Sequence, residues 1–441
     1  MAVVQSSGMA AGSPAVGGSH ALVVSVGEHA PSASPGSAAP AHQAPCVPLW
    51  RARDMVLTEL RALQQLAGQG RLEGKELLRL EVRVGGFGVD ESMLWLRAQT
   101  MLPRVFFLNP DSSLLSAGCG QAHLVSGDGD LPGELVKRGT PPEIRYFGGS
   151  RFDLGADVGQ EWQDFQGHFF VLPQLEIVYM PAPGQQPEHR DEWEQRSTGE
   201  NKRSSLQNRA FTFAVNARAG AGEGWAGALQ RAVQAVEGMR VSCGAERELP
   251  TPIKMEVGTS FQDWQASVQR ALTELEKGGE LRKVVLSRNF FVQFGSDVEP
   301  LDLLFKLRAH NGYLFCLQPS AEACFLGCSP EPLFRISHDV IETMAISGTR
   351  ARGKTPEEDA ALEQELLASA KDKYENGVTS KYIQVSRVCV CVCVYVCVCV
   401  HACMRARLRA RGRFETLKTR LKTGELTFWT HRHNWNRWRR R

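Results

Sequence analysis

A chain of 441 residues with 43% hydrophobic content is long enough for one large domain or two to three ordinary ones, and needs neither disulfides nor a structural metal to build a core. The formal charge of +3 hides two parts of opposite sign, because residues 385–441 carry 14 Lys/Arg against 2 acids while the residues before them carry 37 basic against 46 acidic. Six cysteines are scattered through the body (Cys46, Cys119, Cys243, Cys316, Cys324, Cys328) and six crowd between Cys389 and Cys403. The body therefore reads as a reduced, intracellular protein, and with no uncharged apolar run of the ~18 residues a membrane helix needs, a soluble protein without a membrane span is expected.

Residues 1–46 are rich in Ala, Ser, Gly and Pro, lack Lys and Arg, and hold one acid, Glu28. Such a segment buries too little apolar surface to order itself and is read as a disordered leader; small residues and low acidity also suit an organelle transit peptide, although those are usually Arg-rich. Globular composition begins at Val47. Arg51 to Leu66 repeats apolar residues at helical spacing, and Leu78 to Val84 alternates as a strand does. Gly85-Gly86-Phe87-Gly88 lacks the dinucleotide fingerprint and reads as a bend. Trp95 to Leu108, Arg145 to Phe152 and His168 to Met180 are rich in Phe, Leu and Val and punctuated by Pro or Gly, which predicts strands with tight connections. The polar stretch Ala182 to Asn208 reads as a surface insertion, and Ala210 to Ala217 as a further strand.

Ser260 and Asp263 open a helix whose Phe261, Trp264, Val268, Leu272 and Leu275 share a face, and Gly278-Gly279 ends it. The next segment alternates: Val284, Leu286, Phe290, Val292 and Phe294 on one side, Lys283, Ser287, Asn289 and Gln293 on the other, with Arg288 the exception on the apolar side. That pattern predicts a strand with Lys283 opening a polar face backed by core. Cys324 to Ile336 is a strand turning sharply at Ser329-Pro330-Glu331, Ile341 to Thr349 leads into a Gly- and Arg-rich loop, and Thr355-Pro356-Glu357-Glu358 caps a helix running to about Gln384. Lys371 and Glu375 lie four apart on it and share a face.

Taken alone, these residues have ordinary readings. Lys283 is a solvated lysine at a strand start, Glu331 a turn acid, and Glu375 with Lys371 a helix ion pair contributing about a few tenths of a kcal/mol. Cys324 and Cys328 have no second CxxC or suitably placed His, so core thiols are the better reading than zinc. Residue types alone support no more than a carboxylate site with a lysine.

The order of the segments adds a second line of reading. Leu281-Arg282-Lys283-Val284-Val285-Leu286-Ser287-Arg288, Phe325-Leu326-Gly327-Cys328-Ser329-Pro330-Glu331, Ala345-Ile346-Ser347-Gly348-Thr349-Arg350-Ala351-Arg352-Gly353 and Lys371-Asp372-Lys373-Tyr374-Glu375-Asn376 follow the order and approximate spacing of the chorismate-utilising enzymes. Trp95-Leu96-Arg97-Ala98-Gln99, Arg145 to Asp153 and Leu172-Pro173-Gln174-Leu175-Glu176 agree with the amino-terminal half of that family. From about Arg51 to Gln384 the chain resembles the isochorismate synthases of plants and algae.

That resemblance implies an α+β fold of the anthranilate synthase component I type, an antiparallel sandwich with outer helices and the site between them. It implies a chain that adds water at C2 of chorismate while the C4 hydroxyl leaves, for phylloquinone, menaquinone or salicylate synthesis. By position, Lys283 resembles the general base and Glu331 the general acid. Glu375 resembles a Mg²⁺ ligand, and Gly348 and Thr349 the turn that contacts substrate. Lysine at 283 favours water as nucleophile, since ammonia-using relatives commonly have glutamine there. Salicylate synthase, and relatives of anthranilate or aminodeoxychorismate synthase, remain the alternatives. The resemblance also favours a plastid over the cytoplasm, and a monomer with neither nucleic acid nor membrane as partner.

Residues 385–441 fall outside this pattern. Val388 to Val400 alternates Val with Cys except at Tyr395, leaving both strand faces apolar. A repeated GT dinucleotide would encode such a run, and Val385-Ser386 matches a splice-donor sequence. The expectation is three segments: leader 1–46, an incomplete chorismate-binding domain 47–384, and a basic tail 385–441 arising by intron read-through. The family's last core strands, second metal carboxylate and remaining substrate-binding groups have no counterpart in that tail, so a non-catalytic truncation product is the competing reading.

Overall fold

The computed structural model describes residues 2–5, 21–26, 45–128, 141, 143–151, 158–181, 206, 209–220, 222–279, 281, 283–310, 312–332, 335–337, 340–343, 345–346 and 348–381. The expected tail, and all of the polar insertion except the buried Leu206, lie outside the described residues.

Strands β1 (Ala2–Gln5) and β2 (Ala21–Ser25) precede helix α1 (Leu49–Gly68), β3 (Leu77–Val84) and α2 (Val89–Ala98). Six strands follow: β4 (Arg104–Leu108), β5 (Leu115–Cys119), β6 (His123–Gly127), β7 (Arg145–Ser150), β8 (His168–Leu172) and β9 (Leu175–Tyr179). Then come β10 (Phe211–Arg218), α3 (Gly224–Gly238), β11 (Pro252–Val257), α4 (Phe261–Glu276), β12 (Phe290–Phe294) and α5 (Pro300–Leu307). The described chain ends with β13 (Tyr313–Gln318), β14 (Phe325–Ser329), β15 (Arg335–Ser337), β16 (Val340–Glu342), α6 (Pro356–Ala368) and a helix over 370–381, here α7.

An eight-stranded sheet in the order β14-β13-β4-β5-β9-β10-β3-β2 faces a four-stranded sheet in the order β1-β7-β8-β6. Among the described residues these strand pairings are antiparallel except β2 with β3, and the isolated bridge Val47 to Val84 is parallel too. Strand periodicity sorts the side chains. Val105, Phe107, Phe315 and Leu317 point toward the smaller sheet and pack with Phe147, Phe169 and Val171. Their neighbours Phe106, Leu108, Leu314 and Cys316 point the other way, into the core formed with the helices. The result is an α+β sandwich with helices on one outer face. Helix α1 contributes Ala52, Val56, Leu60 and Leu63 to that core, the stripe its spacing predicted, and Arg53 Nε donates to the Val236 carbonyl of α3 at 3.1 Å.

A charged knot lies inside the large sheet. Arg79 donates to Glu81 at 2.6 Å, to Glu176 at 2.7 Å and to Asn216 at 3.0 Å, while Ser116 donates to Glu176 at 2.6 Å. Arg79 and Glu176 are both buried, and a buried charge persists only when paired and hydrogen-bonded in this way.

Three expectations change. Residues 2–5 and 21–25 are strands rather than leader disorder: Ala2-Val3-Val4 and Ala21-Leu22-Val23-Val24 are local β-forming runs that the average composition of the leader conceals, and they pair with Arg145 to Gly148 and with Leu77 to Glu81. Trp95 to Ala98 belongs to a helix, α2, because Val89, Met93 and Leu96 recur at helical spacing and Asp90 and Glu91 favour its first turn. Gly85–Gly88 is the bend that was expected, and it joins β3 to α2 with Gly86 at φ +79. The carboxy-terminal helix is two helices, α6 and α7, broken at Ser369, whose ψ of 111 leaves the helical region. Among the described residues no helix is long and apolar enough to cross a membrane.

Candidate active site

The β13–β14 pairing places Ser329 opposite Tyr313 at the outer edge of the large sheet. Pro330 follows and, lacking an N–H, ends the ladder there. Ser329 Oγ then donates to the Glu331 carbonyl at 3.2 Å, tightening the turn that presents Glu331. The residue is exposed at its margin, yet its carboxyl has lost enough water that its pKa is raised above the usual carboxylate range. Burial is the larger cause, and the positive charge of Lys283 opposes it. Lys283, half-buried, is thus the cation that acts on Glu331, without a direct ion pair.

Lys283 does not open a strand. The ladder of β12 with β11 begins at Phe290 opposite Val257, and Gly258 N to Asn289 O at 2.9 Å is its last bond. Beyond Gly258 the partner chain turns away into α4, so residues 283–288 pair with no strand among the described residues. The expected core behind Lys283 is also absent among the described residues: Leu286 is 38%, Phe290 53% and Val292 44% exposed. Alternation names two faces but carries no information about whether anything covers either of them.

Gly348, at φ +78, takes a conformation that L side chains rarely adopt. A Cβ there would also lie 2.9 Å from that of Asp372 and 3.0 Å from its Oδ1, so glycine is required on both counts. Thr349 is exposed beside it, its carbonyl accepting from Arg350 Nη1 at 3.0 Å. Arg350 continues through Nε to Glu365 at 2.6 Å and through Nη2 to Asp372 at 2.9 Å. Asn376 Nδ2 donates to the Ala345 carbonyl at 3.2 Å. The turn is thereby held against α7, which also carries Glu375.

Glu375 is half-buried and Lys371 exposed, and they form no ion pair; lysine amino-terminal to glutamate is the weaker orientation for such a pair. The structure therefore assembles two pairs, Lys283 with Glu331, and the Gly348–Thr349 turn with the helix of Glu375. Among the described residues no hydrogen bond or ion pair joins the two. Asp372, Arg350 and Asn376, which do the holding, were named only as parts of matching segments. The spacing 372, 375, 376 was the available signal, since it puts all three on one helix face.

Among the described residues no group of three His, Cys, Asp or Glu converges as a metal cage. Asp372 is committed to Arg350, which leaves Glu375 as the carboxylate on that face. One carboxylate does not make a protein-only site, but Mg²⁺ commonly binds through one or two carboxylates together with water and substrate oxygens, and the residues fit a site of that kind.

The helix-covered antiparallel sandwich is a fold already seen in a solved enzyme structure. The menaquinone-specific isochorismate synthase from Escherichia coli shares the fold at TM-score 0.55 and 17% identity, over 78% of this chain and 68% of that one. The family model of the chorismate binding enzymes matches residues 98–402, more than half of the chain, and the chain belongs to that family. It is 27% identical over 311 residues to "Isochorismate synthase, chloroplastic" of Catharanthus roseus, which covers 66% of this chain and 48% of the relative. It is 39% identical over 127 residues to "Salicylate biosynthesis isochorismate synthase" of Pseudomonas aeruginosa, 28% of this chain and 26% of that one. "Anthranilate synthase component 1" of Saccharolobus solfataricus is 43% identical over 105 residues, 23% of this chain and 24% of the relative. The chain spans about half the length of the plant relatives it matches.

Proposed function

We propose that the protein is an isochorismate synthase, converting chorismate to isochorismate by adding water at C2 with departure of the C4 hydroxyl. The observation that carries this reading is the Lys283–Glu331 pair: a carboxyl lifted by desolvation, with a lysine as the cation acting on it. In this reading Lys283 takes a proton from the attacking water, and Glu331, as the neutral acid, gives one to the departing hydroxyl. One proton is removed and one supplied, so the ring changes position of its hydroxyl with no net change in composition. Gly348 and Thr349 orient the substrate through backbone and hydroxyl groups. Glu375 would be the protein ligand of a Mg²⁺ ion, which when bound would supply positive charge to the substrate carboxylate.

Lysine at 283, where ammonia-using relatives commonly carry glutamine, supports water over ammonia as the nucleophile. The chloroplastic designation of two plant relatives supports a plastid location and, with it, a role in supplying isochorismate for quinone or salicylate synthesis. The test is chromatographic analysis of chorismate incubated with the protein and Mg²⁺. Isochorismate is the expected product, with Lys283→Ala and Glu331→Gln each lowering the rate by about 100-fold or more. Salicylate with pyruvate, anthranilate formed from ammonia, or no consumption of chorismate would each contradict the proposal.

A further inference from the structure

The functional reading assigns the substrate turn to Gly348 and Thr349 and a metal carboxylate to Glu375, but does not account for how residues 26 positions apart in the chain come to serve one ligand. The contacts around Asp372 supply an answer. Asp372 lies in the first turn of α7, its backbone N–H donating to Ser369 Oγ at 3.3 Å, where a carboxylate is favoured by the helix dipole. Its Oδ2 accepts from Arg350 at 2.9 Å, and its side chain is 12% exposed against 60% for Glu365, the other acid on Arg350. On the turn side, Gly348 packs so closely on Asp372 that no Cβ fits between them.

Asp372, Glu375 and Asn376 stand at i, i+3 and i+4 and share a face. That face therefore docks on the turn at both ends, through Asp372 to 348–350 and through Asn376 to Ala345, while presenting Glu375 from the position between. We propose that Asp372 is a positioning residue: its pairing with Arg350 sets the Gly348–Thr349 turn in register with Glu375, so that substrate meets both at once. Asp372 is not itself a ligand here, because its carboxylate is occupied by the guanidinium and by the turn. Glu365, exposed on the far side of Arg350, is a dispensable partner by the same geometry. This inference rests on the functional reading above.

The test uses the full chain and four proteins: wild type, Asp372→Asn, Arg350→Lys and Glu365→Gln. Asp372→Asn keeps the shape and removes the charge, and Arg350→Lys keeps the charge and loses the planar fork. Both are expected to raise the KM for chorismate, and its dissociation constant by calorimetry, in parallel and by about tenfold, with kcat within about twofold of wild type. Glu365→Gln is expected to leave all three unchanged. A merely structural role would lower the melting temperature without this separation of KM from kcat. Asp372→Asn with wild-type KM and binding, a fall in kcat alone, or equal effects from Glu365→Gln overturns the assignment while leaving the functional reading intact. Should Asp372→Asn fail to fold, Arg350→Lys decides by the same criteria. A wild-type protein that neither binds nor converts chorismate overturns the functional reading, and this one with it.

Discussion

Glu331 is where burial and charge compete most visibly. Desolvation raises its pKa and the Lys283 charge lowers it, with desolvation the larger. Removing the charge therefore pushes the carboxyl further up: carbon-detected NMR titration of Lys283→Met should place the Glu331 midpoint above that of wild type, and an unchanged or lower midpoint would separate the two residues. The sign for stability follows. A carboxyl whose pKa is raised on folding contributes stability that is fully present below its unfolded value and is lost as pH rises through the folded one. Glu331→Gln, neutral throughout, should accordingly melt higher than wild type at pH 8 and together with it at pH 4, even as it loses activity. Gly348 is the opposite case, because its positive φ and its contact with Asp372 make any substitution there costly in stability.

At the scale of elements, what was legible in the sequence was what is encoded locally. Ser260 accepts from Asp263 N at 3.1 Å and Thr355 from Glu358 N at 3.2 Å, each at the residue that composition marked as a helix start. Gly278 at φ +67 stops α4 as anticipated. Thr355 has most to hold, because α6 has no buried residue and almost no apolar stripe to anchor it. Thr355→Ala is expected to cost about 1 kcal/mol, read as faster amide exchange over Pro356–Ala368 with the sheet amides unchanged; equal exchange in both proteins would show that the cap contributes nothing. The strand expected from Lys283 was misread for the complementary reason. Alternation specifies two faces, but a strand exists only where a second backbone supplies hydrogen bonds, and Gly258 takes that partner away after Asn289. Asp372 escaped assignment likewise, since its partners, Arg350 and Gly348, lie more than 20 positions earlier and only folding brings them to it.

For the whole molecule, the two halves of the described chain contribute differently. Residues 45–240 form most of the sandwich and its helix-covered core, with the charged knot of Arg79 and Glu176 on the opposite face of the large sheet. Residues 283–381 carry every candidate site residue and join that core chiefly through α5, β13 and β14, Arg104 bridging from β4 to Glu299 at 2.7 Å and Gln318 at 2.8 Å. The fold class was readable because ordered segments survive across both halves. The convergence of Lys283 on Glu331 was not, because it depends on how a partnerless segment and a sheet-edge turn lie in space. The central claim, that this convergence makes water the nucleophile, is tested most directly by running the reaction with chorismate and Mg²⁺ in ¹⁸O-water and analysing the product by mass spectrometry. The account predicts isochorismate carrying ¹⁸O in its C2 hydroxyl, formed by wild type and lost in Lys283→Ala; unlabelled product, or labelled product formed equally well by Lys283→Ala, would contradict it.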